Sequence, residues 1–430
     1  EHGRNMKNIF KKIAAIGLCA SMLAGCSGGS TGNTGTTGGS DANNKTTITI
    51  WHTFTGGQDE LLNTIAKDFE TENQDIHVNV VGGYNEKDFE STVQDAVVNG
   101  VGPNLVFHFA SFARNFDGYD MLISFDDYFT EDYKSMVSQG IYDEATDFVD
   151  GKVHLIATYT TGQVLFYNKT MFEEAGVEAP KTWNDLKEAS KTIYEKTGVV
   201  GFCADALIEV INTIILQSHD GKYVDTASKK LLFNDEETIK WIEWWAEGVK
   251  EGYFQIAPTT GDYNSSDLNN GAIASYIGSC AGLPFLDLSN IGGEVGVVRM
   301  PYIDENHRQT TVSNRSIIGF KKSEAEDAAV AKFAEYFITR DGEWAQELSA
   351  YSPYFTIQES DDYKASVAEN IALKAVGEQI NDSVTIPAVT GSVTIRDELK
   401  KVMTGAADPN FDAKAALENA VKVGEAAMNE

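Results

Sequence analysis

The stretch TTITIWHTFTGG, residues 46–57, decides the fold of this 430-residue chain. Ile48 and Ile50 alternate with threonines, and this β-branched run predicts a first strand. After the two glycines, apolar residues recur at helical spacing over 61–69, which predicts a helix. A strand, a turn and a helix open many α/β sheets, in which ligands bind beyond the carboxyl ends of the strands. Trp51 ends this strand and is either a flat face for a ligand or a plug of the core.

The same alternation of strand and helix recurs along the chain. The next predicted elements are a strand over 76–80, a helix over 88–99 and a buried strand over 105–109. Three strands alternating with helices make βαβ units. Their carboxyl ends carry Trp51, Tyr84 and the segment Phe109–Phe112, so aromatic and hydroxyl side chains gather at one edge. This recurrence favours the interpretation of Trp51 as a ligand face.

Composition and charge narrow the class of function. The net charge of −30 argues against nucleic acid as a partner, because phosphates require Lys and Arg. Spacings typical of zinc sites, P-loops, dinucleotide folds and serine hydrolases are all missing from the sequence, so no metal or cofactor is expected. Four cysteines are too few for a disulfide framework. Cys203 and Cys280 are predicted to be two buried thiols, with pairing as the alternative.

The N-terminal segment resembles a bacterial lipoprotein signal. A basic start precedes an apolar run over 13–24, too short to remain as a membrane anchor. The run ends in Leu-Ala-Gly-Cys at 23–26, which predicts a signal peptide over 1–26 and a lipid on Cys26. An ordinary cleaved signal is the alternative. Residues 27–44 are Gly, Ser, Thr and Asn and predict a flexible tether. The folded part is expected at the outer face of the cytoplasmic membrane, extracellular or periplasmic.

Short segments spread over most of the chain carry a family resemblance. They are Ile50–His52, Gly83–Tyr84, Pro103–Val106, Val164–Lys169, Pro180–Leu186, Leu216–Ser218, Asn270–Ala272 and Val298–Tyr302. In this order and spacing they resemble the family 1 extracellular solute-binding proteins of ABC importers. The resemblance implies a two-lobed α/β fold of the periplasmic-binding-protein type (type II), with a ligand cleft between the lobes. It also implies a monomeric, non-enzymatic protein whose partners are a small solute and the transmembrane subunits of a permease.

The expected division of the chain follows from where the predicted strand-helix repeats stop and restart. The first lobe is predicted over 45–157 and 283–313, and the second over 158–282 and 314–430. Later predicted elements include a strand over 201–204 and helices over 183–197, 235–250 and 324–339. The aromatic cluster Trp241, Trp244 and Trp245 falls at i, i+3 and i+4 of the helix predicted over 235–250, which favours packing in the core.

Within the family, the chain is most similar to the sugar and glycerol-3-phosphate binders. The resemblance implies cleft positions at Tyr84, Thr161, Ser279 and Tyr351. Two departures count against glycerol phosphate. The acidic residue expected after the third strand falls at Ala110, and the late Arg falls near Ser392, leaving Arg396 one helical turn further on. These differences favour a neutral mono- or oligosaccharide, with a glycerol phosphate or glycerophosphodiester as the alternative.

Sugar recognition requires flat apolar faces and planar hydrogen-bonding groups in a concave site. The aromatic candidates are Trp51, Tyr84, Phe109, Tyr159 and Tyr276, the last of which is more typical of a core position. The polar candidates are Asn85, Ser111, Thr161, Gln217, Asn314 and Arg315, each with a turn or capping role as the alternative. A rival class, a lipid-anchored glycoside hydrolase, requires two carboxylates flanking the sugar, and no such pair stands out. A sensory ligand-binding module stays open.

Overall fold

The first strand and helix form where the sequence predicts them. The computed structural model describes residues 45–259 and 263–429. Strand β1 spans Thr46–Trp51, and helix α1, Gly57–Glu72, buries Leu62, Ile65, Ala66 and Phe69 against the sheet. Between them Gly56 adopts a φ of 59°, which favours glycine and makes the sharp turn from strand to helix.

Nine further strands follow in the described part of the chain. They are β2 (Ile76–Val81), β3 (Leu105–Phe109), β4 (Leu155–Asn168), β5 (Val200–Ala204), β6 (Val224–Asp225), β7 (Lys230–Leu231), β8 (Ile273–Ser279), β9 (Val295–Arg299) and β10 (Val312–Gly319).

Fifteen further helices follow in the described part of the chain. They are α2 (Glu86–Val98), α3 (Ala110–Ala113), α4 (Gln139–Thr146), α5 (Lys169–Ala175), α6 (Trp183–Thr197), α7 (Leu207–Ser218), α8 (Glu236–Glu251), α9 (Asn264–Asn269), α10 (Glu324–Thr339), α11 (Asp341–Glu347), α12 (Phe355–Gln358), α13 (Asp361–Glu369), α14 (Ile371–Gly377), α15 (Ser392–Gly405) and α16 (Ala413–Ala427). Short 3₁₀ turns lie at Arg114–Phe116, Phe125–Asp127, Tyr133–Ser135, Cys280–Phe285, Ser289–Ile291 and Ile380–Asp382.

Strand β4 joins the two halves of the main sheet. The hydrogen-bonded order is β2-β1-β3-β10-β4-β8-β5, and β9 also pairs with β4. β4 is 14 residues long and changes partners along its length. Up to Gly162 it pairs with β10, and from Gln163 it pairs with β8 and β9. Eight strands therefore form one hydrogen-bonded sheet, whose two halves meet along β4, while β6 and β7 pair with each other in a separate two-stranded sheet.

Each half of the sheet has its own core, and these halves are called the first and second lobes below. In the first lobe, β1 and β3 bury Ile48 and Phe107 beneath Phe333 of α10 and Trp344 of α11. In the second lobe, the aromatic and aliphatic side chains of α6, α7, α8, α15 and α16 form a separate cluster. The first cluster also continues along β4 to Phe166 and Tyr276, so the lobes share a packed seam.

The assignment of two segments to lobes differs from the prediction. β9 pairs with Val164–Asn168 of β4, so it lies in the second lobe rather than the first. The C-terminal part of β10 pairs with β3, and α10 packs on β1, so residues 316–348 lie with the first lobe. α15 and α16 pack in the core of the second lobe. Partner strands are chosen by tertiary pairing, which the local pattern of a segment does not display.

Many predicted elements agree with the structure at the level of single residues. The strand at 105–109 and the helices at 183–197 and 324–339 have the predicted bounds. Trp241, Trp244 and Trp245 are buried in the second core, as predicted. Cys203 and Cys280 are both buried and unpaired. The predicted lipid on Cys26 and the tether over 27–44 lie outside the described residues, in which no helix is long and apolar enough to cross a bilayer.

Candidate functional site

Two predicted aromatic residues stack at the cleft edge of the first lobe. β1 and β2 are parallel and in register to Trp51 and Val81, so both strands end at the same edge. The rings of Trp51 and Tyr84 lie 4.9 Å apart between centroids, at an interplanar angle of 29°. Both side chains are half-buried, and burial raises the pKa of the Tyr84 phenol. The pair forms an aromatic platform with its hydroxyl kept protonated.

His52, which was not predicted as a site residue, packs beneath this edge of the sheet. Its ring is buried, and Nδ1 accepts a hydrogen bond of 3.1 Å from the Phe54 amide. The proton of the neutral ring therefore sits on Nε2, 3.3 Å from Oδ1 of Asp59. Burial lowers the pKa of His52. A Cβ at Gly82 would lie 2.7 Å from the imidazole, so only glycine fits there. The segment between β2 and Tyr84 is thereby held close to β1.

Arg315 is the central polar group of the first-lobe edge. Its Nε donates to the Phe107 carbonyl at 3.1 Å, and Nη2 donates to Thr53 at 3.2 Å and to Glu86 at 3.3 Å. The guanidinium carbon lies 5.0 Å from the ring centroid of Phe54 and 5.5 Å from that of Phe109. Such a planar cation stacks well on aromatic faces. Arg315 therefore presents fixed donors, and its charge is balanced locally.

Glu86 supplies that balancing charge and was not predicted. Burial acts to raise the pKa of Glu86, but the hydrogen bond from Thr53 and the nearby Arg315 outweigh it and lower the pKa. The carboxylate is ionised at neutral pH and pairs with the guanidinium. Its position in the first turn of α2, directly after the predicted strand end, is the sequence signal that points to it.

The two strands that join the lobes continue the site. Tyr159 lies opposite Arg315, and Thr161 lies opposite Ser313, in the ladder between β4 and β10. Side chains two residues apart on a strand face the same side, so these two pairs share one face. Burial raises the pKa of Tyr159, which keeps the phenol protonated. Thr161 also borders a polar cavity next to the ladder.

This cavity has a volume of about 420 Å³ and is lined by residues from both lobes. Its walls are Glu144, Thr161–Gln163, Glu209, Asn212, Thr311–Ser313, Val384–Ile386 and Arg396. The volume falls within the range of small-molecule sites in proteins. Thr161 and Arg396, two predicted site residues distant in sequence, are brought together here.

Two carboxyl groups of the cavity have perturbed acidity. Burial raises the pKa of Glu144 to about 7, and Arg114 and the Asn314 amide only partly oppose this. Burial also raises the pKa of Glu209, against the opposing charge of Arg396 and the Thr311 hydroxyl. Carboxyls with raised pKa values gather at functional sites. Sequence reasoning missed both, although Glu209 lies in the first turn of a helix that follows a predicted strand.

The cleft edge of the second lobe is formed by the ends of β5 and β8. Ser279 ends β8 opposite Gln163, and its hydroxyl accepts a hydrogen bond of 3.4 Å from the Ala281 amide. Asp205 follows β5, and its Oδ1 accepts from the backbone and side-chain nitrogens of Asn264, at 2.9 and 3.0 Å. Burial raises the pKa of Asp205. Asp205 was not predicted, although it directly follows the predicted strand at 201–204.

Three predicted polar contacts have other roles in the structure. Asn85 caps α2 by accepting from the Lys87 amide at 2.9 Å. Gln217 is fully buried; it accepts from Trp183 at 2.8 Å and donates to the carbonyls of Pro301 and Gln309. Asn314 is buried and bonds Thr160 and Glu144. Gln217 and Asn314 therefore do not present free groups to the cleft, because internal partners have taken them.

The remaining predicted site residues lie either at the edge of the cleft or in the hydrophobic core. Phe109 is 37% exposed and touches Arg315, while Ser111 is exposed on α3. Tyr351 is largely buried, and its backbone bridges to Thr160 of β4. Tyr276 is 1% exposed and stacks on Phe166, so it belongs to the core. The described residues hold no cluster of His, Cys, Asp and Glu suited to a metal ion.

Comparisons with known proteins agree with this architecture. The family described as bacterial extracellular solute-binding protein matches residues 64–375. An sn-glycerol-3-phosphate-binding periplasmic protein from Agrobacterium fabrum is 23% identical over 425 residues, 91% of this chain and 94% of that protein. An arabinooligosaccharide-binding protein from Halalkalibacterium halodurans is 43% identical over 53 residues, 12% of each chain.

Solved structures show the same fold. The cyclic α-maltosyl-1,6-maltose binding protein from Arthrobacter globiformis superposes with a TM-score of 0.78 at 19% identity, covering 89% of this chain and 99% of the other. The sugar-binding protein MalE from Xanthomonas citri gives a TM-score of 0.76 at 18% identity, covering 89% and 98%. The fold is the two-lobed, type II periplasmic-binding-protein arrangement, with the cleft between its lobes.

Proposed function

The chain belongs to the bacterial extracellular solute-binding proteins, and from this membership we propose that it captures a carbohydrate for an ABC importer. It is a binding protein and not an enzyme. Its relatives bind sugars or sn-glycerol 3-phosphate, so the question is which chemistry its own cleft suits.

The charge balance of the cleft carries the proposal. A phosphate requires cations that are free to pair with it, usually Arg or Lys. Arg315 is paired with Glu86, and Arg396 lies beside Glu209. A buried phosphate here would compete with carboxylates for both arginines and would pay for desolvation. Neutral hydroxyls do not carry this penalty, and the carboxylates accept their hydrogens.

The aromatic platform supports the same choice. Trp51 and Tyr84 present stacked rings beside the fixed donors of Arg315. The C–H faces of a pyranose or furanose ring bury well on such surfaces, and the hydroxyls at the ring's rim meet planar polar groups. Glycerol phosphate has no ring face to match this platform.

A direct comparison of solutes tests the proposal. The purified protein is screened by thermal shift and then calorimetry against mono- and oligosaccharides of glucose, arabinose and xylose, with sn-glycerol 3-phosphate and glycerophosphocholine alongside. We expect a saccharide to raise the melting temperature and to bind with 1:1 stoichiometry. Binding of a glycerophosphate without any saccharide binding would overturn the proposal.

We also propose that Cys26 carries a lipid that holds the protein at the outer face of the membrane, near its permease. The support is the basic and apolar segment that precedes Leu-Ala-Gly-Cys. Replacement of Cys26→Ala should move the protein from the membrane fraction to the soluble fraction. Cys19→Ala, a cysteine of the same segment outside the motif, is the matched control and should stay in the membrane fraction. Retention of the Cys26→Ala variant there would contradict the anchor.

We further propose that the working unit is a monomer whose lobes close by bending of the long strands β4 and β10. The support is the change of partners at Gly162 and Gln163, where β4 passes from one half-sheet to the other. Closure would bring the platform, Thr161 and the Ser279 edge around the solute.

A further inference from the structure

Two carboxyl groups face the central cavity from opposite lobes. Glu144 lies on α4, whose apolar residues Ile141 and Ala145 pack in the first core. Glu209 lies on α7, whose apolar face packs in the second core. A motion that closes the lobes across this cavity would bring these two groups closer together.

Glu144 is fixed in place by the strands that join the lobes. Its Oε2 accepts a hydrogen bond of 2.6 Å from Nδ2 of Asn314 on β10, and Oδ1 of Asn314 accepts from the hydroxyl of Thr160 on β4. The charge of Arg114 acts on Glu144, but its Nη1 is engaged with the Asp147 carboxylate at 2.6 Å. Glu144 therefore has no ion-pair partner within the described residues, and its hydrogen bond prevents it from turning away.

Glu209 has a partner on its own side of the cavity. Burial raises the pKa of Glu209, the charge of Arg396 on α15 partly opposes this rise, and the hydroxyl of Thr311 donates to the carboxylate at 3.4 Å. The groups that perturb Glu144 are Asn314, Arg114 and Asp147, and Glu209 is not among them. Each carboxyl thus interacts with neighbouring groups other than the opposite carboxyl.

We propose that Glu144 and Glu209 form an electrostatic guard that opposes closure of the empty cleft. Closure without solute brings two carboxylates towards each other in a space that loses water, where like charges repel more strongly. A solute that donates hydroxyl hydrogens to both carboxylates removes this penalty, because each charge then keeps a partner. The guard couples occupancy to closure, so that the open-to-closed equilibrium responds to solute. The inference depends on closure of the two lobes, which the proposed function includes, and not on the identity of the solute.

The guard makes closure of the empty protein depend on pH. Glu144, with a pKa of about 7, is ionised at pH 8 and neutral at pH 5.5. Protonation removes one of the two charges, so the penalty is present above pH 7 and is lost as the pH falls. The empty protein is then more compact at pH 5.5 than at pH 8.

Small-angle scattering of the solute-free protein tests the guard directly. The radius of gyration of the wild type is expected to fall as the pH is lowered from 8 to 5.5. Glu144→Gln, which keeps an oxygen to accept from Asn314, should give at pH 8 the compact value of the wild type at pH 5.5. Glu209→Gln is a second, independent variant with the same expected result.

The matched control removes a carboxylate outside the cavity. Glu335→Gln alters a side chain that accepts from Thr130, and it should retain the pH dependence of the wild type. A radius of gyration that does not depend on pH in the wild type would overturn the guard. So would folded Glu144→Gln and Glu209→Gln variants that keep the wild-type value at pH 8. Neither result bears on which solute binds, which the solute screen decides separately.

Discussion

Arg315 shows how a single residue sets the chemistry of the cleft edge. It spans from the Phe107 carbonyl to Thr53 and Glu86, and its guanidinium lies against two aromatic rings. A lysine at this position would keep the charge but lose the planar fork and the stacking. Glu86 pairs with the guanidinium, so the charge of the arginine is balanced within the first lobe.

Trp51→Ala tests the aromatic platform at the residue scale. Loss of the ring should weaken binding of the saccharide found in the screen by about 1–3 kcal/mol, because one stacking face and its buried area disappear. Tyr84→Phe, which keeps the ring, should weaken binding by only about 0.5–1.5 kcal/mol, because it removes one hydrogen bond. Calorimetry measures both. Unchanged affinity in Trp51→Ala, together with a lower melting temperature, would show that Trp51 is core and not platform.

At the element scale, β4 holds the two half-sheets together through side-chain links as well as its ladders. The fully buried Gln379 accepts from the Met300 amide at 2.8 Å and donates to the Gln163 carbonyl at 2.8 Å. It therefore ties the point where β4 changes partners to the end of β9. The chain after α14 runs from this point along α4 towards α15, and the hydroxyl of Thr385 donates to the Gly140 carbonyl at 2.7 Å.

Gly140→Ala tests this close contact between elements. In a helix, Ala is favoured over Gly by up to about 1 kcal/mol. Here a Cβ would lie 2.4 Å from the Ser383 carbonyl oxygen, a backbone atom that cannot turn aside. Overpacking of this kind costs about 1–3 kcal/mol, so we expect a net loss of stability and a lower melting temperature.

Gly282→Ala is the matched control for that substitution. A Cβ there would meet no atom closer than 3.7 Å, so the melting temperature should stay near that of the wild type. Equal melting temperatures for Gly140→Ala and the wild type would mean that the segment at 383–385 can move away from α4.

At the scale of the whole molecule, charge and chain path act together. The net charge of −30 repels anionic solutes, and dissolved salt shortens the range of this repulsion. The sign of the charge therefore agrees with a neutral solute. The chain passes between lobes on β4 and β10 and again before α15. Several strands and segments of chain thus join the two lobes, an arrangement suited to bending at the joint while each lobe stays rigid.

The sequence by itself determined the local elements and most of the core. The helix at 183–197 starts at a capping box of Thr182 and Asp185, and its periodicity is contained within its own residues, so its bounds were predictable. The burial of the tryptophans of α8 followed from their spacing in the same way. The strand ends that carry Trp51 and Tyr84 were predictable because parallel strands place their carboxyl ends at one edge.

Only the tertiary structure decided which distant groups meet. Arg315 donates a hydrogen bond to Glu86, which is 229 residues away in the sequence, and Asn314 donates one to Glu144, which is 170 residues away. Gln217 and Asn314 are of residue types that often bind ligands in a cleft, but their polar atoms form hydrogen bonds within the protein. Strand β9 belongs to the second lobe and not to the predicted first lobe. Helical and strand periods arise from neighbours along the chain, whereas these pairings arise from how the strands cross and pack. A linear pattern of residues contains the first kind of information and not the second.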